Sequence, residues 1–143
     1  IAALGIEITV ITNGLDIAEA AGASERVKAI LCPGSYSAHE RGVYGQDTCA
    51  FLERFHANLA FTSAGGLTEG GVTDVDPLAA WVKRAMAARA ERRFFLADHG
   101  KFNVRLLEIV MPLAHLTDIV TDRPLPGHLA EAAEAAGVVT AVA

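Results

Sequence analysis

Residues 6–12 are almost all apolar or β-branched, and the run stops at Asn13-Gly14. Such residues suit a pleated strand. Leu15, Ile17, Ala18 and Ala21 then take the apolar positions of a short helix that Gly22 ends. Residues 27–32 are nearly continuous in apolar side chains, the pattern of a parallel strand buried on both faces. Residues 36–45 show no clear period and are too long for a tight turn, so they read as a segment that covers a sheet edge or crosses between protomers. Within 46–56, Cys49, Leu52 and Phe55 stand at helical spacing, and 58–64 form a third strand.

Residues 65–74 hold four glycines with Thr68 and Thr73 between them and read as a loop. Asp76-Pro77 opens the next helix with a capping carboxylate and a proline at the first helical position. Leu78, Trp81, Val82, Ala85 and Met86 follow at i, i+3, i+4, i+7 and i+8, which predicts the packing stripe. A fourth strand covers 93–97. Residues 106–113 are apolar up to Pro112 and are compatible with either strand or helix. A fifth strand (117–121), an alanine-rich helix (129–136) closed by Gly137, and a last strand (138–142) complete the pattern. Strand and helix alternate, which predicts right-handed crossovers and an α/β, three-layer domain: a mostly parallel sheet of at least five strands with helices on both faces.

Five of the apolar runs stop in clusters of small or polar residues: Thr12-Asn13-Gly14, Pro33-Gly34-Ser35, Ala64-Gly65-Gly66, Asp98-His99-Gly100-Lys101 and Thr121-Asp122-Arg123. Open α/β sheets collect ligand groups beyond the carboxyl ends of their strands. The pattern therefore predicts a pocket for a small polar ligand. Composition narrows the picture. At 143 residues, 52% hydrophobic and 20% charged, the chain is expected to form one compact domain, residues 1–143. A net charge of -5 argues against nucleic-acid binding by this segment, since such binding relies on Lys and Arg neutralising phosphates. Cys32 and Cys49 lack C-x-x-C spacing and read as buried thiols in a reducing cytoplasm. No apolar run approaches the roughly 20 residues of a membrane span. Ile1-Ala2-Ala3-Leu4 reads as the tail of a helix with no initiator methionine, so the segment is expected to come from a longer protein.

The sharpest chemical cluster is Asp98-His99-Gly100-Lys101-Phe102. A strand-end carboxylate, a glycine that permits an unusual turn and a lysine can together hold a hydroxyl and an anion, although a plain surface turn would look the same. The glycine-rich stretch ending at Asp74 could bring backbone N–H groups to a phosphate, but Asp74 and Asp76 stand where the next helix starts, so capping or acceptance from sugar hydroxyls suits them better. Lys83, Arg84, Arg89, Arg92 and Arg93 read mainly as a solvated basic face, with Lys83 nearest the loop and retained as a ligand contact. His39-Glu40 is not continued to H-E-x-x-H, Phe61-Thr62-Ser63-Ala64-Gly65 lacks the first glycine of a nucleophile elbow, and Phe95 stands where a phosphate-binding loop ending in Gly100-Lys101 needs glycine. Hydrolase, metalloenzyme and nucleoside-triphosphatase readings fail at the motif level, and no cofactor is implied.

Several of these stretches together resemble the C-terminal effector domain of the DeoR family of bacterial sugar-metabolism regulators. They are Val10-Ile11-Thr12-Asn13, the strand and glycine turn at 31–35, Arg41-Gly42-Val43-Tyr44-Gly45, the glycine-rich stretch, Val82-Lys83-Arg84-Ala85-Met86, Ala97-Asp98-His99-Gly100-Lys101-Phe102 and Thr117-Asp118-Ile119-Val120-Thr121-Asp122. The resemblance implies a domain similar in fold to ribose-5-phosphate isomerase and the CoA transferases. It implies a domain that binds a phosphorylated sugar, relays binding to an N-terminal helix-turn-helix that contacts DNA, and works as a homo-oligomer in the cytoplasm without crossing a membrane. It makes Thr12, Asn13, Gly34, Gly65, Thr73, Asp98 and Lys101 the candidate effector contacts, to which the residue reading adds Ser35, Asp74 and Lys83. The helix-turn-helix and the Gly-Thr-Thr strand that opens such domains have no counterpart here, and Pro33 stands where the family commonly has glycine. The alternative is a sugar-phosphate isomerase, with Asp74, Asp76 or Asp98 as general base and Lys101 stabilising an enediolate.

Overall fold

The computed structural model describes residues 6–143; the helix tail expected at residues 1–4 lies outside them. The chain folds as two compact units that divide after Arg54. In the first unit, β1 (Ile8–Thr12) and β2 (Val27–Leu31) pair in parallel around the crossover helix α1 (Leu15–Gly22). Residues 36–45, aperiodic in sequence, contain most of an antiparallel hairpin of β3 (Ser35–Ser37) and β4 (Gly42–Tyr44). Strands of three residues are too short to show alternation, which is why the pattern misses them. Helix α2 (Gln46–Leu52) stops before Phe55 and His56, shorter than its apolar spacing predicts.

The second unit, Phe55–Ala143, holds the larger core. Its sheet runs β11 (Val139–Val142), β10 (Asp118–Thr121), β8 (Ala90–Ala97), β5 (Ala57–Thr62), all parallel. The six parallel strands among the described residues thus fall into sheets of four and two, where one sheet of at least five was expected. The expected glycine-rich loop is a second correction. It folds as an antiparallel pair, β6 (Gly66–Thr68) and β7 (Gly71–Asp74), and β9 (Glu108–Met111) extends it to a three-stranded sheet. The glycines serve backbone approach. A Cβ on Gly66 would come within 2.1 Å of the Val104 carbonyl oxygen, and Gly71 combines φ +124° with a Met111 carbonyl 2.2 Å from where its Cβ would stand.

Asp76 caps α3 (Pro77–Ala88) by accepting from the Leu78 amide at 2.9 Å, as the Asp-Pro pair predicts. The packing stripe does not follow the large residues. Ala79, Ala80, Val82 and Ala87 are buried, whereas Leu78 and Trp81 are 48% and 53% exposed. Small side chains let the helix lie close to its neighbours, and the bulky ones turn outward. Ala80 and Ala87 of α3 and Ala133 of α4 (Gly127–Ala135) join Phe95, Ala97 and Ile119 in one cluster, so both helices cover the same face of the four-stranded sheet. The residues that alternate with these, Leu59, Phe61, Phe94 and Leu96, occupy the other face. There Phe61 stacks on Phe94 with ring centroids 4.8 Å apart, and Arg92 lies over the Phe94 ring. Arg92 also grips Asp118 through two hydrogen bonds of 2.5 and 3.2 Å, which hold that buried carboxyl below its ordinary pKa.

Candidate functional site

Each unit presents polar groups at the carboxyl ends of its parallel strands. In the first unit, Thr12 closes β1 and is buried, and its Oγ1 accepts from the Gly14 amide at 3.0 Å. Asn13 brackets β4: its carbonyl accepts from the Val43 amide at 2.8 Å, and its Nδ2 donates to the Val43 carbonyl at 3.2 Å. After β2, Gly34 takes φ +149°, and a Cβ there would meet Thr48 Oγ1 at 2.2 Å. Thr48, fully buried, donates instead to the Pro33 carbonyl at 2.7 Å. Ser35 is exposed at the start of β3. Cys32, the residue after β2, is buried, and that burial pushes its thiol up to about 11, so it stays protonated at neutral pH.

In the second unit, the strand order puts β8 between β5 and β10, so whatever follows β8 sits between two other strand ends. A 3-10 turn, His99–Lys101, follows it. Asp98 caps this turn by accepting from the Gly100 amide at 2.9 Å. Lys101 reaches toward the end of β5, where its Nζ donates to Ser63 Oγ at 2.7 Å and lies 3.7 Å from Asp98 Oδ2. On the other flank, Asp122 follows β10 and accepts from the His99 amide at 2.6 Å, with its second oxygen 2.6 Å from His99 Nδ1. The His99 bonds pull the Asp122 carboxyl below its ordinary pKa. Ser63, His99 and Asp122 were not among the candidate contacts. Each stands just past a strand end, and His99 and Asp122 both lie within strand-end clusters of the sequence. Only the strand order brings it beside Asp98 and Lys101.

The other candidates of this unit have structural partners. Thr73 is buried, with Oγ1 donating to the Val104 carbonyl at 3.3 Å and accepting from the Leu106 amide at 3.1 Å. Gly65 packs against Leu106, whose Cδ1 would lie 2.4 Å from an added Cβ. Asp74, also buried, pairs with Lys83 and accepts from the Val75 amide at 2.8 Å. The structure therefore joins Asp74 to Lys83 and Asp98 to Lys101, and leaves these as separate pairs. An open groove of about 350 Å³ in the first unit lies at the amino-terminal ends of β1 and β2, lined by the charged residues Glu7, Glu25, Arg26 and Lys28, at the opposite strand ends from Thr12 and Gly34. Among the described residues, no group of three His, Cys, Asp or Glu side chains could hold a metal ion, and no helix is long and apolar enough to cross a membrane.

Parallel strands joined through helices, with polar turns at their carboxyl ends, define an α/β class of domain. Within that class, the chain belongs to the family of DeoR C-terminal sensor domains, whose model matches residues 2–123. It is 36% identical over 119 residues to the HTH-type transcriptional regulator IolR of Bacillus subtilis, covering 82% of this chain and 47% of that protein. It is 32% identical over 136 residues to the L-fucose operon activator of Haemophilus influenzae, covering 94% and 55%. The HTH-type transcriptional repressor GlcR of Bacillus subtilis is 28% identical over 118 residues, covering 82% and 46%. The chain thus spans about half the length of these curated relatives.

Proposed function

We propose that this chain is the effector-sensing part of a bacterial regulator of sugar metabolism. It binds a phosphorylated sugar and relays that event to a DNA-binding helix-turn-helix elsewhere in the polypeptide, and it works as a homo-oligomer in the cytoplasm. The observation that carries the reading is Lys101, a cation held by Ser63 and faced by Asp98 at the carboxyl edge of a parallel sheet. A flexible ammonium suits a phosphate, and neighbouring carboxylates and hydroxyls suit the sugar. Membership of a sensor-domain family and relatives named as transcriptional regulators support it. Thr12, Asn13, Gly34 and Ser35 are the candidate contacts within the first unit.

The isomerase alternative finds little support. Asp74 is bound to Lys83, Asp76 caps α3, and Asp98 caps its turn, so each proposed base already serves a structural bond. A turnover assay with aldose and ketose phosphates tests that reading directly. For the sensing reading, the full-length protein is screened against pentose and hexose phosphates by thermal shift, and the best ligand is titrated into the Lys101→Ala variant. Loss of one charge-assisted hydrogen bond should weaken binding about ten- to a hundred-fold. Identical titration curves would reject Lys101 as a contact.

A further inference from the structure

In the turn after β8 the amides of residues 99–102 are all engaged. The His99 amide donates to Asp122 (2.6 Å), the Gly100 amide to Asp98 Oδ1 (2.9 Å), the Lys101 amide to the Asp98 carbonyl (3.1 Å) and the Phe102 amide to the His99 carbonyl (3.2 Å). Loops that cradle anions do so with free N–H groups. Here an anion must be held by side chains. Within the hydrogen-bonded turn two carboxylates, Asp98 and Asp122, stand against one cation, Lys101, so carboxylates outnumber cations there while His99 is neutral. An anionic ligand is then repelled by the carboxylates that shape its site.

His99 is placed to correct this. Its Nδ1 is committed to Asp122, leaving Nε2 as the ring's open nitrogen on a side chain 46% exposed. With the Nδ1 proton on the Asp122 side, Nε2 is an acceptor in the neutral ring and a donor in the imidazolium. Protonation therefore changes both the charge of the cluster and the sign of its free hydrogen-bonding group. We propose that the His99–Asp122 pair is the proton-dependent half of this anion site: Asp122 is a positioning residue that fixes the turn and the imidazole, and protonated His99 adds a second positive charge to that of Lys101 in the same turn. This rests on the sugar-phosphate reading and adds to it a pH-regulated affinity.

The charged surroundings are few. Asp98 and Lys101 belong to the turn itself, Arg123 follows Asp122 in the chain and stays positive, and Ser63 from the β5 end does not titrate. His128, at the start of α4, lies 2.7 Å from Asn103 Oδ1 just beyond the turn and is the other histidine to control for. The probe is the phosphosugar that stabilises the full-length protein most in the thermal-shift screen, paired with the sulfate ester of the same sugar. A phosphate monoester itself titrates near pH 6, whereas the sulfate keeps a fixed charge across the imidazole window of about pH 5 to 8.

Affinity of the wild type for the sulfate ester should fall about tenfold from the acid to the alkaline end of that window. His99→Gln should bind weakly with a flat profile, His128→Gln should keep the wild-type slope, and Asp122→Asn, which frees the imidazole, should flatten the slope with an unchanged melting temperature. A flat wild-type profile with binding intact, an unaltered slope in His99→Gln, or a slope abolished by His128→Gln would each overturn the proposal and leave the sugar-phosphate reading standing. Absence of binding by the wild type to any phosphosugar at any pH would reject the underlying reading, and this proposal with it.

Discussion

The two units use the same local grammar, parallel strands joined through helices, yet they differ sharply in what they bury. The second unit packs Phe95, Ile119, Leu67, Val72, Val82, Val110 and Leu129 to less than 2% exposure. The first unit's core is small: Val27, Cys32, Val43 and Leu52 are buried, α1 has no buried residue, and Ile17 and Leu31 remain 57% and 44% exposed. Secondary structure is therefore no measure of cohesion. Helix α1 satisfies its backbone and repeats the expected spacing, but a helix this short gains most of its stability from packing an apolar face, and this one contributes little. The polar turn of the second unit stands on a large packed core, whereas Asn13 and Gly34 of the first depend on local hydrogen bonds around one small cluster.

The largest break in this comparison should come from Phe95→Ala. Phe95 is fully buried in the middle of β8, and truncation of such a ring costs about 3–5 kcal/mol. Amide hydrogen exchange should show protection lost throughout 55–143, and a change confined to β8 would contradict a single cooperative core in that unit. Asp118→Asn probes the same unit through charge. Because Asp118's folded-state pKa lies below the ordinary 3.8, its contribution is present above that value and is lost as pH falls through the folded-state value. The variant should melt lower than wild type near neutral pH, and the gap should close in acid; a gap independent of pH would mean that packing, and not the Arg92 bond, is at stake. The smallest effect is expected in the first unit. Ile17→Ala, on the exposed face of α1, should change stability by no more than about 0.5 kcal/mol. A loss comparable to Phe95→Ala in chemical denaturation would show that α1 is covered in the full-length protein.

Much of this architecture was legible in the chain. The strand ending at Thr12, the Asp76 cap and the strand ending at Asp98 follow from period and punctuation alone, because those signals are local. Two kinds of feature escaped. The 65–74 stretch reads as a loop because glycine frees the backbone in either role; what makes it a hairpin is the approach of Val104 and Met111, residues far along the chain. Of the expected α3 stripe, Leu78, Trp81, Val82, Ala85 and Met86, only Val82 is buried, because a helix lying close to a sheet selects alanines, and how closely it lies is a tertiary property. The candidate site was half legible for the same reason. Asp98 and Lys101 are sequence neighbours and could be paired on paper, whereas Ser63 and Asp122 join them only through the β5-β8-β10 order.

Strand β5 has a consequence for how this protein must be handled. Among the described residues it pairs with β8 alone, so its other edge offers a row of unpaired amides and carbonyls. The segment Ala-Asn-Leu-Ala-Phe-Thr carries no charge and no proline, and Leu59 and Phe61 are about half exposed. A neutral, β-prone hexapeptide with an open edge is a template for further strands. Concentrated samples of the isolated segment should cloud on standing, and a lysine in place of Leu59 should keep them clear, since a charge on an open strand is a common way for proteins to remain in solution.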